Sequence, residues 1–176
     1  TPFNFPLNLV AHKVAPAIAV GCPIVLKPSP MTPLTAIKLA EVMIDAGLPE
    51  GLFTVVVGDV EVGKLVTTHP NIAMISFTGS PSVGEAISKV AGLRRTTFEL
   101  GGNAATVIDE NTNITDDLIK RLTVGAFAYS GQVCISVQRI YIHDSLYDDF
   151  RHKFVTHTKK LVLGDPMSAD TEIGPL

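Results

Sequence analysis

Cys134 stands in AYSGQVCISVQRI, after a Gly-Gln-Val turn and before a β-branched run, and the only other cysteine is Cys22. A free thiol, with a pKa near about 8.5, is little ionised at neutral pH, so a nucleophilic cysteine needs a base or a cation beside it. The five histidines (His12, His69, His143, His152 and His157) fall in helices, at strand ends or in turns, without metal-ligand spacing. The stronger candidate base is Glu99, in TTFELGGNAA. A carboxylate that ends an apolar strand and precedes two glycines is costly to bury unless it has a partner or a task. The residues alone leave two readings open for each. Cys134 is a nucleophile or a small residue that packs; Glu99 is a base or a strand terminus with its head in water.

A second kind of chemistry is suggested where strands end. In α/β sheets ligands bind beyond the carboxyl ends of strands, where helix N-termini offer N–H groups and positive dipole ends. ISFTGSPSVGEAI reads as a strand, then Gly79-Ser80, then a helix containing Gly84. Gly79 would let a diphosphate approach the backbone and Ser80 adds a hydroxyl, although a plain strand-to-helix turn with a serine cap fits equally. VVVGDVEVGKLV sets Gly58 and Gly63-Lys64 at P-loop spacing, but Leu65 stands where that motif needs Ser or Thr for magnesium. IVLKPSPMTP puts Lys27 at a strand end, as a ligand contact or a solvated terminus. No G-x-G-x-x-G occurs, so the standard Rossmann fingerprint is absent.

The elements that must position these residues alternate. An apolar helix over 7–20 precedes a short strand over 24–27. The next helix, in PLTAIKLAEVMIDAGLP, has Ile37, Ala40 and Ile44 on one face and Lys38, Glu41 and Asp45 on another. Gly47 sits where a left-handed cap belongs, and Pro49 prevents continuation. Strands are expected over 53–57, 72–78, 96–100, 104–108 and 139–143, and helices over 60–68, 82–91, 115–129 and 145–163. Leu146, Phe150 and Phe154 line one side of the last helix. This βαβα series implies an α/β fold of mostly parallel sheets with covering helices. Gly101-Gly102, between two apolar strands, is the best candidate for a junction between two domains, because glycine permits a sharp change of direction.

Composition excludes several classes. The net charge is -3 with both signs interspersed, so the basic footprint of a nucleic-acid binder is missing. No apolar run approaches the roughly 20 residues that span a bilayer. Neither nucleic acid nor membrane is expected as a partner. Two cysteines without a CxxC spacing make neither a disulfide framework nor a metal site, and no metal is expected. No signal peptide precedes Thr1, and a reducing, cytoplasmic setting is the default. Asn113-Ile114-Thr115 then reads as a helix start rather than a glycosylation site. The abrupt ends, TPFNFP and EIGPL, suggest a piece of a longer protein.

Five motifs in order (PFNFP, KPSPMTP, FTGS, FELGG and, 35 positions after its Glu99, GQVC) resemble the aldehyde dehydrogenase superfamily over essentially all 176 residues. The resemblance implies parts of two Rossmann-like domains: residues 1–100 as the later part of the NAD(P)-binding domain, 101–176 as the first part of the catalytic domain. It makes Cys134 the nucleophile that carries a thiohemiacetal and then a thioester. Glu99 becomes the general base, and Asn4 the oxyanion donor acting with the Cys134 backbone N–H. Lys27 matches the residue that reaches the adenosine ribose, with Ser29 and Gly63 beside it. Gly79 and Ser80 match the diphosphate contact; Thr78, Phe3 and Gly101 lie toward the nicotinamide. Cys22, in VGCPIVLK, is left as the cysteine that packs.

One departure concerns the cofactor. Many NAD-preferring members carry Glu three residues after the lysine, where its carboxylate binds the ribose hydroxyls and repels a 2′-phosphate. Pro30 stands here, so NADP is expected to be tolerated or preferred over NAD. GQVCISVQRI and PFNFPLNL are most similar to members acting on small oxygenated or anionic aldehydes, such as lactaldehyde, glyceraldehyde 3-phosphate or sulfoacetaldehyde. The resemblance also implies a homodimer or homotetramer for the full-length protein, and a further cofactor glutamate beyond Leu176 without which these residues alone do not turn over. Two rivals remain: a cysteine-dependent esterase or acyltransferase, which needs no dinucleotide, and a non-catalytic nucleotide-binding module using Gly58 to Lys64.

Overall fold

Short strands alternate with helices, and every strand pair is parallel. The computed structural model describes residues 1–176, which divide into two compact units, Thr1–Leu100 and Gly101–Leu176. The first unit runs α1 (Asn8–Ala19), β1 (Ile24–Leu26), α2 (Pro33–Asp45), β2 (Phe53–Val55), α3 (Val60–Thr68), β3 (Met74–Gly79), α4 (Pro81–Ala91) and β4 (Arg95–Leu100). The second holds β5 (Ala105–Ile108), α5 (Asp116–Phe127), a 3-10 turn (Ala128–Gly131), β6 (Arg139–Ile142), a second 3-10 turn (Asp144–Leu146) and α6 (Tyr147–Thr158).

Strands pair as β1–β2, β3–β4 and β5–β6, with Ile24 opposite Phe53, Thr78 opposite Glu99 and Ala105 opposite Arg139. A parallel pair needs a crossover long enough to return the chain; α2, α4 and α5 provide it. The expected α/β class with parallel strands and covering helices is borne out, as three separate two-stranded pairs.

Three apolar clusters hold these elements. Val10, Val14, Leu26, Ala36 and Phe53 form one in the first unit, and Ile75, Ile87 and Ala91 form another beneath β3–β4. In the second unit Ile108, Ile114, Ile119, Leu122 and Phe150 are buried together, with Leu146 and Phe154 against them as the sequence pattern indicates. Gly84 lets α4 approach β4, for a side chain there would lie 2.7 Å from a Leu100 methyl. The helix start at Asn113–Thr115 is confirmed: the Thr115 hydroxyl accepts from Leu118 N at 3.2 Å.

Several expectations are corrected. The core face of α2 runs through Ala36, Leu39, Ala40 and Met43, one position from the expected stripe, and leaves Ile44 63% exposed. Both faces of this apolar helix carry aliphatic residues, so periodicity could not choose between them. Helix α6 ends at Thr158 rather than 163, because Leu163 pairs with Ile173 in an isolated bridge. Cys22 does not pack: it is exposed in the turn after α1, where Gly21 is left-handed (φ 67°) and the Gly21 and Cys22 backbone N–H groups reach back to Ile18 O and Ala17 O. Gly47 does supply the left-handed cap (φ 88°).

Ile119 is 2% exposed and central to the second cluster. Ile119→Ala is predicted to cost about 2–5 kcal/mol of stability. Urea titration should show a lower midpoint with an unchanged slope.

Candidate functional site

Each sequence-chosen residue of the first unit lies at or beyond a strand's carboxyl end or just before α1. Lys27 follows β1, and its ammonium donates to Pro28 O at 3.0 Å and Gly58 O at 2.9 Å. Burial lowers the Lys27 pKa from the ordinary lysine value, while the Asp59 carboxylate opposes the shift. Gly63 lies against the lysine stem: a Cβ there would sit 3.5 Å from Lys27 Cε, in ordinary packing contact. Ser29 accepts from Met31 N at 3.2 Å, shaping the loop after the fully buried Pro28. Gly58 and Gly63 are thus brought together at Lys27, while Ser29 is engaged within its own loop.

The P-loop alternative fares poorly in this geometry. Gly58 turns its carbonyl, not its N–H, toward a cation, and Lys64 is tied to Glu61 at 2.7 Å on the exposed side of α3.

At the end of β3, Thr78 and Gly79 lie opposite Glu99 and Leu100. Ser80 caps α4 by accepting from Val83 N at 3.4 Å, so the capping reading of this serine is realised; its hydroxyl remains exposed. A side chain at Gly79 would come within 2.5 Å of the Phe77 ring, a packing reason for glycine that the sequence did not reveal. The N-terminus of α4 follows directly, placing a positive dipole end there. Helix N-termini after β2 and β3 and a lysine after β1 are groups that could meet a dinucleotide's phosphates and ribose. Phe3 and Asn4 sit in the bend before α1; Phe3 O accepts from Thr32 Oγ1 at 3.3 Å, and Phe5 is left-handed (φ 45°).

The β3–β4 pair has one apolar face, Ile75, Phe77 and Phe98, against α4. Its other face carries Ser76, Thr78, Thr97 and Glu99, because side chains alternate along a strand. Lys13, the only Lys, Arg, Asp or Glu of α1, reaches that polar face and donates to Ser76 Oγ at 2.9 Å. Burial lowers its pKa and the Glu99 carboxylate opposes the shift. Lys13 is not among the residues expected at the site; its signal is that of a lone lysine in a largely apolar helix. Glu99 itself is exposed rather than buried.

In the second unit Cys134 is exposed. The chain reaches it through three consecutive left-handed residues, Tyr129 (φ 54°), Ser130 (φ 55°) and Gly131 (φ 75°). Non-glycine residues enter this region at a cost of about 1–2 kcal/mol each. Ser130 is held there by donating to Gly174 O at 3.0 Å, and Ser136 N donates to Val133 O at 3.0 Å around the cysteine. Val137 N reaches Gly125 O, and a side chain at Gly125 would crowd Val137 to 2.9 Å. Gly102, beside Gly101, is close enough that a Cβ would meet Cys134 O at 4.0 Å. The open groove between α5 and α6, about 360 Å³, is lined by Lys120, His152 and Lys160 among others and holds none of the predicted residues.

The aldehyde dehydrogenase family model matches residues 1–176. The chain belongs to the aldehyde dehydrogenase family. It is 47% identical over 177 residues to the 3-sulfolactaldehyde dehydrogenase of Priestia aryabhattai, a match covering 100% of this chain and 37% of that protein. Aldehyde dehydrogenase 21 from Physcomitrella patens, solved with the reaction product succinate, matches with a TM-score of 0.95 at 45% identity, over 100% of this chain and 37% of that one. Glyceraldehyde-3-phosphate dehydrogenase GapN from Methanocaldococcus jannaschii, complexed with NADP, gives 0.94 at 42% identity, over 100% and 40%. The chain therefore spans less than half the length of these family members. The family and fold implied by the five motifs are borne out.

Lys13→Met removes a half-buried charge, so thermal stability should hold. Turnover of the intact protein should fall about three- to tenfold, the equivalent of a partly screened charge pair of about 1 kcal/mol. Gly131→Ala puts a Cβ at φ 75° and 3.4 Å from Ala126 O. It should lower stability by about 1–2 kcal/mol, read from the melting curve.

Proposed function

We propose that this chain carries the nucleophile, general base and part of the dinucleotide cradle of an enzyme that oxidises a small aldehyde to a carboxylic acid with NAD(P)+. The observation that carries the proposal is the exposed Cys134 at the end of a strained left-handed turn, in a chain that matches the family throughout. Residues 1–100 act as part of the NAD(P)-binding domain and 101–176 as part of the catalytic domain.

In this reading the Cys134 thiolate adds to the aldehyde carbon, and the oxyanion is met by the Cys134 backbone N–H and the Asn4 side-chain amide. Bound NAD(P)+ accepts the hydride, so the carbon is oxidised to a Cys134 thioester as the dinucleotide is reduced. Glu99 removes a proton from water, which attacks the thioester, releases the carboxylic acid and returns the thiol. Lys27, Ser29 and Gly63 hold the adenosine ribose; Gly79 and Ser80 take the diphosphate; Thr78, Phe3 and Gly101 line the nicotinamide end. Relatives named for sulfolactaldehyde and glyceraldehyde 3-phosphate, and one solved with succinate, support a substrate with an anionic end. A reducing, cytoplasmic setting suits a free nucleophilic thiol. A homodimer or homotetramer is the assembly proposed for the full-length protein.

Pro30 bears on the choice of dinucleotide. With no carboxylate there, the 2′-phosphate of NADP is accepted, and Pro30→Glu should shift the kcat/KM ratio toward NAD by about tenfold or more, the scale of one added repulsion. The test is aldehyde-dependent reduction of NADP and NAD by the intact protein over a panel of anionic and neutral aldehydes. Cys134→Ala should abolish reduction, and Asn4→Ala should lower turnover by about 10²–10³ with little change in stability. Thiol-dependent ester hydrolysis without any dinucleotide reduction would favour the hydrolase reading instead.

A further inference from the structure

Arg139 is the first residue of β6, five positions after Cys134, and its guanidinium is spent on a single residue of the segment that opens the second unit. Nε donates to both Asn103 O and Asn103 Oδ1 at 3.1 Å, and Nη2 donates to Asn103 O as well. The group is steadied from its other side: Nη1 donates to Tyr141 OH at 3.2 Å, and Cζ lies 5.8 Å from the Tyr141 ring centroid. Asn103 follows Gly102, whose missing side chain leaves the space that faces Cys134 O. The Gly101–Asn103 segment is therefore faced by the cysteine turn at Gly102 and clasped from β6 at Asn103.

The β5–β6 ladder begins with Ala105 opposite Arg139, so regular strand pairing starts only beyond both Asn103 and Cys134. Arg139 extends that register backward by two residues, from Ala105 to Asn103, without any strand pairing of its own there.

We propose that Arg139 is a positioning residue for the Cys134 turn: by clasping Asn103 it fixes the Gly101–Gly102 link against the Cys134 backbone. This rests on Cys134 being the nucleophile and its N–H an oxyanion donor. A donor of that kind works only when aimed at where charge develops, so a small displacement lowers turnover more than it weakens binding. A guanidinium is required for the double contact on one carbonyl and one amide; an ammonium makes one of these at a time.

The test uses the intact protein with Arg139→Met, Arg139→Lys and Cys134→Ala, each with a melting curve. Arg139→Met should lower kcat by about 10- to 100-fold, part of what a whole lost donor costs, with KM for aldehyde and dinucleotide changed less than about threefold. Arg139→Lys should be intermediate. Added guanidinium ion at millimolar concentration should restore turnover of a further variant, Arg139→Ala, whose short side chain leaves room for it, but not of Arg139→Lys, whose longer side chain fills the space. If the methionine variant does not fold, the kcat and KM of Arg139→Lys carry the test. A kcat within about twofold of the parent in a folded variant would overturn the proposal. So would a loss that tracks the fall in melting temperature and resists guanidinium. Cys134→Ala separates this from failure of the underlying reading: persistent aldehyde oxidation in that variant overturns the nucleophile assignment itself.

Discussion

Parallel pairing is the constraint on which the rest of this structure depends. A strand that pairs parallel to its predecessor must be reached by a crossover, and the crossover helix leaves with its N-terminus near the carboxyl end of the strand it follows. In the first unit α3 begins five residues after β2, and α4 begins directly after β3. The loop after β1 carries Lys27 and Ser29, the end of β3 carries Thr78 and Gly79, and the same register sets Glu99 opposite Thr78. Pairing imposes this; the side chains exploit it. An antiparallel hairpin would alternate its ends and spread the same residues over both edges.

The second unit meets a different demand. Its crossover helix, α5, does not run into β6 but stops at a left-handed reversal, after which Cys134 stands exposed in a turn. Strain in Tyr129 and Ser130 is tolerated because surrounding bonds over-determine the path: Ser130 to Gly174, Ser136 to Ala126, Val137 to Gly125. Stabilising contacts on both sides of an unfavourable backbone segment are how this turn is held where a relaxed chain would not put it.

Much of this was legible in advance, for identifiable reasons. Helix α3 fell on its expected residues, and its start is set by Asp59, whose carboxylate accepts from Glu61 N at 3.0 Å. Parallel strands followed from the alternation of strand and helix patterns. Cys22 was misjudged because residue type suggests burial while the left-handed Gly21 beside it specifies a turn. The left-handed Tyr129 and Ser130 could not be read, since bulky and β-carbon-bearing residues rarely adopt positive φ. Arg139 and Asn103 are 36 residues apart, and Lys13 and Ser76 are 63 apart. No local pattern announces contacts at that separation, which is why the motif residues were legible and their supports were not.

The central claim is that Cys134 carries an acyl group during turnover and that Glu99 directs its removal by water. The most direct measurement is intact-mass and peptide mass spectrometry of the Glu99→Gln protein after mixing with aldehyde and NAD(P)+. The account predicts one equivalent of reduced dinucleotide per active site and an accumulated acyl adduct confined to the peptide containing Cys134. Reduced dinucleotide with no adduct, or an adduct on any residue other than Cys134, would contradict it.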